Sequence, residues 1–121
     1  MATGPERRQA VRGGGALLAF VKVARTGKVE RVLTKNLSAG GMCFVSDIPR
    51  QAKDTVEVEV QLPDFAKTVV FQAVVMWSRL IPSTDKSVRV SRFEIGVRIT
   101  NIDPKSQALL NQYATMNPLP P

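Results

Sequence analysis

The stretch "TVEVEVQL", Thr55–Leu62, alternates Val56, Val58, Val60 and Leu62 with Glu57, Glu59 and Gln61. In an extended strand successive side chains point to opposite faces, so this period of 2 sends the four apolar residues to a core and the three polar ones to water. A helix would scatter both sets around its circumference. The segment therefore predicts a half-buried β-strand. Working outward, further apolar runs rich in Val, Phe and Ile lie at 16–23, 29–35, 41–45, 68–81 and 88–100, each bounded by turn residues. Six strand candidates with short connections predict an all-β fold, a small antiparallel barrel. In "FEIGVRIT" (93–100) Phe93, Ile95, Val97 and Ile99 share one face, and Gly96 is a strand glycine of the kind that marks a bulge or a close neighbour. In "DPKSQALLNQYATM" (103–116) Asp103 is placed as N-cap and Pro104 at the first helical position. Leu109, Leu110 and Tyr113 follow at helical spacing, so one helix is expected to close the fold.

Around this core the chain divides simply. Residues 1–15, "MATGPERRQAVRGGG", show no period and are expected to form a flexible basic arm; 16–117 carry the barrel and its helix; 118–121 are a proline-rich tail. A length of 121 residues suits one domain, and 44% hydrophobic with 22% charged residues is ordinary globular composition rather than that of disorder. No run approaches the roughly 18 apolar residues of a membrane span. "ALLAFV" (16–21) is too short for a secretory signal and no small-residue cleavage site follows it, so a cytoplasmic location is expected.

Chemistry is bounded by what is missing. With one cysteine and no histidine there is no internal disulfide, no imidazole base and effectively no zinc site. The acids are spread along alternating surface positions rather than gathered in pairs, and Cys43 reads as a small core side chain without an activator. An enzyme is not expected, nor a cofactor or a metal. Lys and Arg total 17 against 10 acidic residues, a net charge of +7, which favours an anionic partner.

Two short motifs give that partner a shape. "ERRQAVR" puts Arg7, Arg8 and Arg12 just ahead of the first strand, with Arg8 and Arg12 four apart and able to reach one bulky anion. Guanidinium grips phosphate oxygens bidentately and matches the N7/O6 edge of guanine, which suits a guanine nucleotide. "NLSAGG" (36–41) reads in two ways. As a hairpin connection, Asn36 and Ser38 bond their own backbone while Gly40 and Gly41 supply positive φ. As a binding segment, Asn36 and Ser38 lie on one side of an extended chain and offer an amide oxygen and a hydroxyl to a base edge, and the glycines remove side chains that would block it. Trp77, the only tryptophan, is a second-tier candidate for ligand contact, since a lone strand tryptophan is more often core.

RxxxR before the first strand ("RQAVR", 8–12, preceded by Arg7) and [D/N]xSxxG after the second ("NLSAGG") resemble the two motifs of the PilZ domain, the bacterial receptor module for cyclic di-GMP. "VVMWSRL" around Trp77 and "FEIGVRIT" around Gly96 look like that family's late strands, so the likeness covers nearly the whole chain. It implies a six-stranded barrel with a terminal helix, whose N-terminal arm folds over a nucleotide lying on the barrel surface. It also implies that Arg7, Arg8 and Arg12 grip phosphates and guanine edges, that Asn36 and Ser38 accept hydrogen bonds from a guanine, and that Gly40 and Gly41 permit close contact. Asn36 stands where many members carry aspartate; an amide oxygen accepts a hydrogen bond, more weakly than a carboxylate. The function so implied is that of a cyclic di-GMP receptor, without catalysis, that relays the signal to a downstream protein. Two other readings stay open: an adaptor of the same fold that works by protein contact alone, and a basic barrel that binds nucleic acid nonspecifically. Against the last, only 6% of residues are aromatic and no pair of them alternates with basic positions on one strand.

Overall fold

The computed structural model describes residues 17–82 and 91–116. The arm with Arg7, Arg8 and Arg12, the first residues of the run expected at 88–100, and the proline-rich tail lie outside the described residues. Six strands follow in order: β1 (Leu18–Val23), β2 (Val29–Leu37), β3 (Gly41–Ser46), β4 (Thr55–Leu62), β5 (Lys67–Ile81) and β6 (Arg92–Asn101). They close into an antiparallel barrel in the order β1-β2-β3-β6-β5-β4. One helix, α1 (Pro104–Met116), comes after β6.

The strand that decides the fold behaves as its alternation requires: Val56, Val58, Val60 and Leu62 are buried in the barrel while Glu57, Glu59 and Gln61 face water. Val21, Val69, Phe71, Phe44 and Ile95 fill the same interior, each buried side chain of this size contributing about 1.5–3 kcal/mol. α1 starts as expected, with Ser106 N donating to Asp103 Oδ1 at 2.9 Å as an N-cap and Pro104 as the first helical residue. Leu110 and Tyr113 are its buried residues, and it packs against β5.

Two of the three register shifts among the barrel's described residues decide which side chains turn outward at one face. In β2, Thr34 pairs with Phe44 and Asn36 with Cys43, so Lys35 is an extra residue, a β-bulge. In β5, Val75 pairs with Val97 and Trp77 with Gly96, so Met76 is likewise extra. Before each bulge the alternation is regular: Val32 and Thr34 point inward on β2, and Val69, Phe71, Ala73 and Val75 on β5. After it the parity is reversed, and Asn36 and Trp77, which strict alternation would bury, turn to the outer face.

The chain enters the barrel beside the first bulge. Leu17 N donates to Thr34 Oγ1 at 3.1 Å, and Thr34 N donates to the Leu17 carbonyl at 2.9 Å. At the other end of the barrel Glu30 organises the β3–β4 connection, accepting from Ser46 Oγ at 2.8 Å, from Asp47 N at 3.2 Å and from the Arg50 guanidinium.

Candidate functional site

Strand register lines up Asn36 on β2, Cys43 on β3, Gly96 on β6 and Trp77 on β5 as one row across the outer face. At about 4.8 Å per strand the row spans roughly 14 Å. It forms the floor of an open groove of about 450 Å³ whose walls include Ser38, Gly41, Lys35, Arg79 and Glu94. The structure thus brings Asn36, Ser38, Gly41 and Trp77 together, along with three charged residues that the motifs do not contain. Gly40 sits in the adjoining turn.

That turn settles part of what "NLSAGG" is. Ser38 N donates to the Gly41 carbonyl at 2.9 Å, and Gly40 N donates to Ser38 Oγ at 3.3 Å, so the segment is a hairpin connection with a local hydroxyl bond. Neither glycine has positive φ, however; among the described glycines only Gly27 does. The expectation that Gly40 and Gly41 are there for left-handed backbone is corrected. Gly41 has a different reason: a Cβ there would stand 2.5 Å from the Val97 carbonyl oxygen of the neighbouring strand. Gly40 meets nothing closer than Ser38 Oγ at 3.9 Å. It leaves that side of the turn open.

Trp77 is not a core residue. The bulge at Met76 turns it outward, 41% exposed, and its indole packs so closely on Gly96 that a Cβ there would stand 2.2 Å from Trp77 Cε2. Gly96 therefore has a close neighbour in Trp77 and also stands opposite the β5 bulge, so both expectations for a strand glycine meet here. Cys43 is buried, as a small apolar side chain should be, yet its place is the groove floor rather than the barrel interior. Burial pushes its thiol up to about 11, and the nearby Glu94 carboxylate adds to the effect. It is not a nucleophile at neutral pH.

The charged wall is a cluster that the sequence motifs do not announce. Glu94, 6% exposed, is not one of the solvated surface acids; it accepts from Arg79 Nε at 2.8 Å and from Arg79 Nη2 on one oxygen, and from Lys35 Nζ on the other. The Lys35 hydrogen bond first, and then that of Arg79, hold its carboxyl below the usual range against the opposing effect of burial. Arg79 Cζ in turn stands 5.2 Å from the Trp77 ring centroid. The available signal was Trp-x-Arg at 77–79, two residues apart and so on one face. The acid on β6 joins them only through strand pairing.

A second cleft of about 470 Å³ opens by Arg25, Glu30 and Arg50, but those ions are already matched, Arg25 to Asp54 and Arg50 to Glu30. Among the described residues no group of three or more His, Cys, Asp or Glu is placed to hold a metal. No helix there is long and apolar enough to cross a membrane.

Comparison with known proteins places this architecture. The PilZ domain family model matches residues 6–115. The chain belongs to the PilZ domain family. Its barrel resembles the PilZ domain with c-di-GMP of YcgR from Escherichia coli, at TM-score 0.67 and 17% identity over 84% of this chain and 81% of that one. The Bacillus subtilis inhibitor of motility MotI/DgrA matches at TM-score 0.66 and 24% identity, over 91% of this chain and 50% of that chain. K. pneumonia MrkH in its apo state matches at TM-score 0.72 and 13% identity, over 88% and 48%. This PilZ chain thus spans about half the length of the latter two proteins. No curated protein matches it.

Proposed function

We propose that this PilZ domain is a cyclic di-GMP receptor whose N-terminal arm, residues 1–15, closes over a nucleotide held in the groove floored by Asn36, Cys43, Gly96 and Trp77. The observation that carries the reading is the pair of bulges, which turn Asn36 and Trp77 outward onto one row beside the point where the arm joins the barrel. A polar acceptor at one end and an aromatic face at the other suit a base edge and a base plane.

Reach is consistent with this. Leu17 is fixed against Thr34, next to the bulge, and Arg12 lies five positions ahead of it. At about 3.3–3.6 Å per extended residue that is roughly 17 Å, and Arg8 has roughly 30 Å. Arg7, Arg8 and Arg12 can therefore meet phosphates or guanine edges anywhere along a groove of roughly 14 Å. Asn36 and Ser38 supply acceptors, Gly40 leaves the turn open, and Gly41 lets β3 and β6 approach. Charge-assisted hydrogen bonds of about 1.5–3 kcal/mol each, less the cost of ordering the arm, are consistent with micromolar binding, about 8 kcal/mol. The ordered arm then presents a changed surface to a downstream protein, and the domain has no catalytic step of its own.

Titration with cyclic di-GMP, with GTP and single-stranded DNA as competitors, tests the reading. Saturable binding that neither competitor displaces is the expected result. Displacement by DNA with a steep salt dependence would establish nonspecific nucleic-acid binding instead. No binding at all would leave the adaptor that acts through protein contact.

A further inference from the structure

Two solvent-exposed cations in the groove converge on one buried acid. Side-chain exposure is 72% for Arg79 and 51% for Lys35, against 8% for Glu94. Arg79 spends two of its five N–H donors on one Glu94 oxygen, and Lys35 takes the other oxygen. So held, the guanidinium lies over Trp77, whose indole also packs against Gly96. The cations sit on long, exposed side chains and can move, whereas the carboxylate is fixed in β6 and cannot follow them. An anion entering the groove must therefore compete with Glu94 for both.

We propose that Glu94 is a latch: in the empty groove it holds Arg79 over Trp77 and Lys35 along the wall, and an entering cyclic dinucleotide draws one or both cations away from it. This rests on the groove being the nucleotide site and adds how that site is kept closed to weaker anions. A ligand with one phosphate gains too little to strip a buried carboxylate of its partners, while a ligand with two phosphates and two bases replaces both. Glu94 thereby lowers affinity and sharpens the choice of ligand. It is a positioning residue, acting through Arg79 and Lys35.

Trp77 is the chain's only tryptophan, so intrinsic fluorescence reports the latch with no ligand present. In the full chain Glu94→Gln and Arg79→Met are expected to shift the emission in the same direction, and the double variant no further than Arg79→Met alone. The groups facing Glu94 are Lys35 from β2, the Cys43 thiol from β3 and Arg79 from β5, and Arg92 lies two positions away on its own strand. Glu94 is the one carboxyl among them, and its cations hold it below the usual carboxylate range. Wild-type emission should therefore change with a midpoint below the ordinary carboxylate range, with circular dichroism unchanged, and Arg79→Met should lack that step. This arm holds even if Glu94→Gln fails to fold. With cyclic di-GMP as the probe, Glu94→Gln should bind about two- to fivefold more tightly, the factor a surface ion pair represents. A wild-type spectrum in folded Glu94→Gln, or weaker binding by it, would overturn the latch. Absence of cyclic di-GMP binding in the wild type would overturn the proposed function, and the ligand-free spectra would still decide the latch.

Discussion

Glu30 on β2 and Glu94 on β6 are two versions of one arrangement, a carboxylate shared between a guanidinium and other donors. At Glu30 the cation is inside: the Arg50 side chain is 5% exposed, its Nε has no partner, and its backbone N–H is tied to Ser78 Oγ at 3.2 Å. At Glu94 the acid is inside and the cations are out. The difference decides what each can do. A buried cation cannot leave without stranding charge, so Glu30 and Arg50 fix the β3–β4 connection. Exposed cations on a buried acid can swing away to a ligand without moving the strands, and the cost of the carboxylate they leave is what the ligand must offset. Chemistry alone does not separate a structural ion pair from a functional one; which partner is buried does.

The largest expected effect tests the structural side of that contrast. Arg50→Ala removes a buried guanidinium and leaves Glu30 with an uncompensated charge, which should destabilise the domain by roughly 3 kcal/mol in chemical denaturation. Binding by the fraction that stays folded should be unchanged. If stability is unaffected, the two acids are not different in kind. On the groove side the strongest effects belong to the arm: Arg8→Ala or Arg12→Ala should weaken cyclic di-GMP binding about ten- to hundredfold, from about 1.5–3 kcal/mol per charge-assisted contact, with no change in thermal midpoint. Arg31→Ala, an exposed arginine of β2, is the matched control. Equal small losses at all three positions would indicate diffuse electrostatics.

Trp77→Ala comes next. Loss of a stacking platform costs a base about 1–3 kcal/mol, so about tenfold in affinity is expected. The side chain is outside the core, so the thermal midpoint should move little. A large drop in midpoint with unchanged affinity would mean that Trp77 serves the sheet and not the ligand.

How much of the fold and the groove was legible in the sequence differs along single strands. β4 was readable throughout because its alternation is unbroken, and the N-cap of α1 was readable because Asp-Pro ahead of a helical pattern is local chemistry. β5 was readable as far as Val75 and β2 as far as Thr34. Beyond those points the period runs on in the sequence but not in space, because a bulge adds a residue without demanding a particular type; neither Lys35 nor Met76 is a glycine that would announce it. For that reason alternation alone would bury Trp77, which the structure turns outward. Asn36 and Ser38 were found only because they form a recognisable motif. The Lys35–Glu94–Arg79 cluster was invisible because its members lie on three strands, β2, β6 and β5, that only the barrel's closure brings together.

The smallest effect falls on the turn between β2 and β3, where the two readings of "NLSAGG" are closest. Ser38 Oγ accepts from Gly40 N at 3.3 Å, a long and exposed bond, so Ser38→Ala should cost the fold no more than about 0.5 kcal/mol. If Ser38 also accepts from a guanine in the closed site, the same change leaves a ligand donor without its partner in a partly desolvated groove, and affinity should fall by about 1 kcal/mol, roughly fivefold. Asn36→Ala should act in the same direction and more strongly, because its carboxamide lines the groove itself. The glycines cannot make this distinction: a side chain at Gly41 collides with the Val97 carbonyl and would damage the sheet whether or not a ligand binds there. Thermal midpoint and cyclic di-GMP affinity measured together on Ser38→Ala therefore isolate the hydroxyl. A lowered midpoint with wild-type affinity would confine the segment to its role as a turn and move the base-edge contacts of the groove to Asn36 alone.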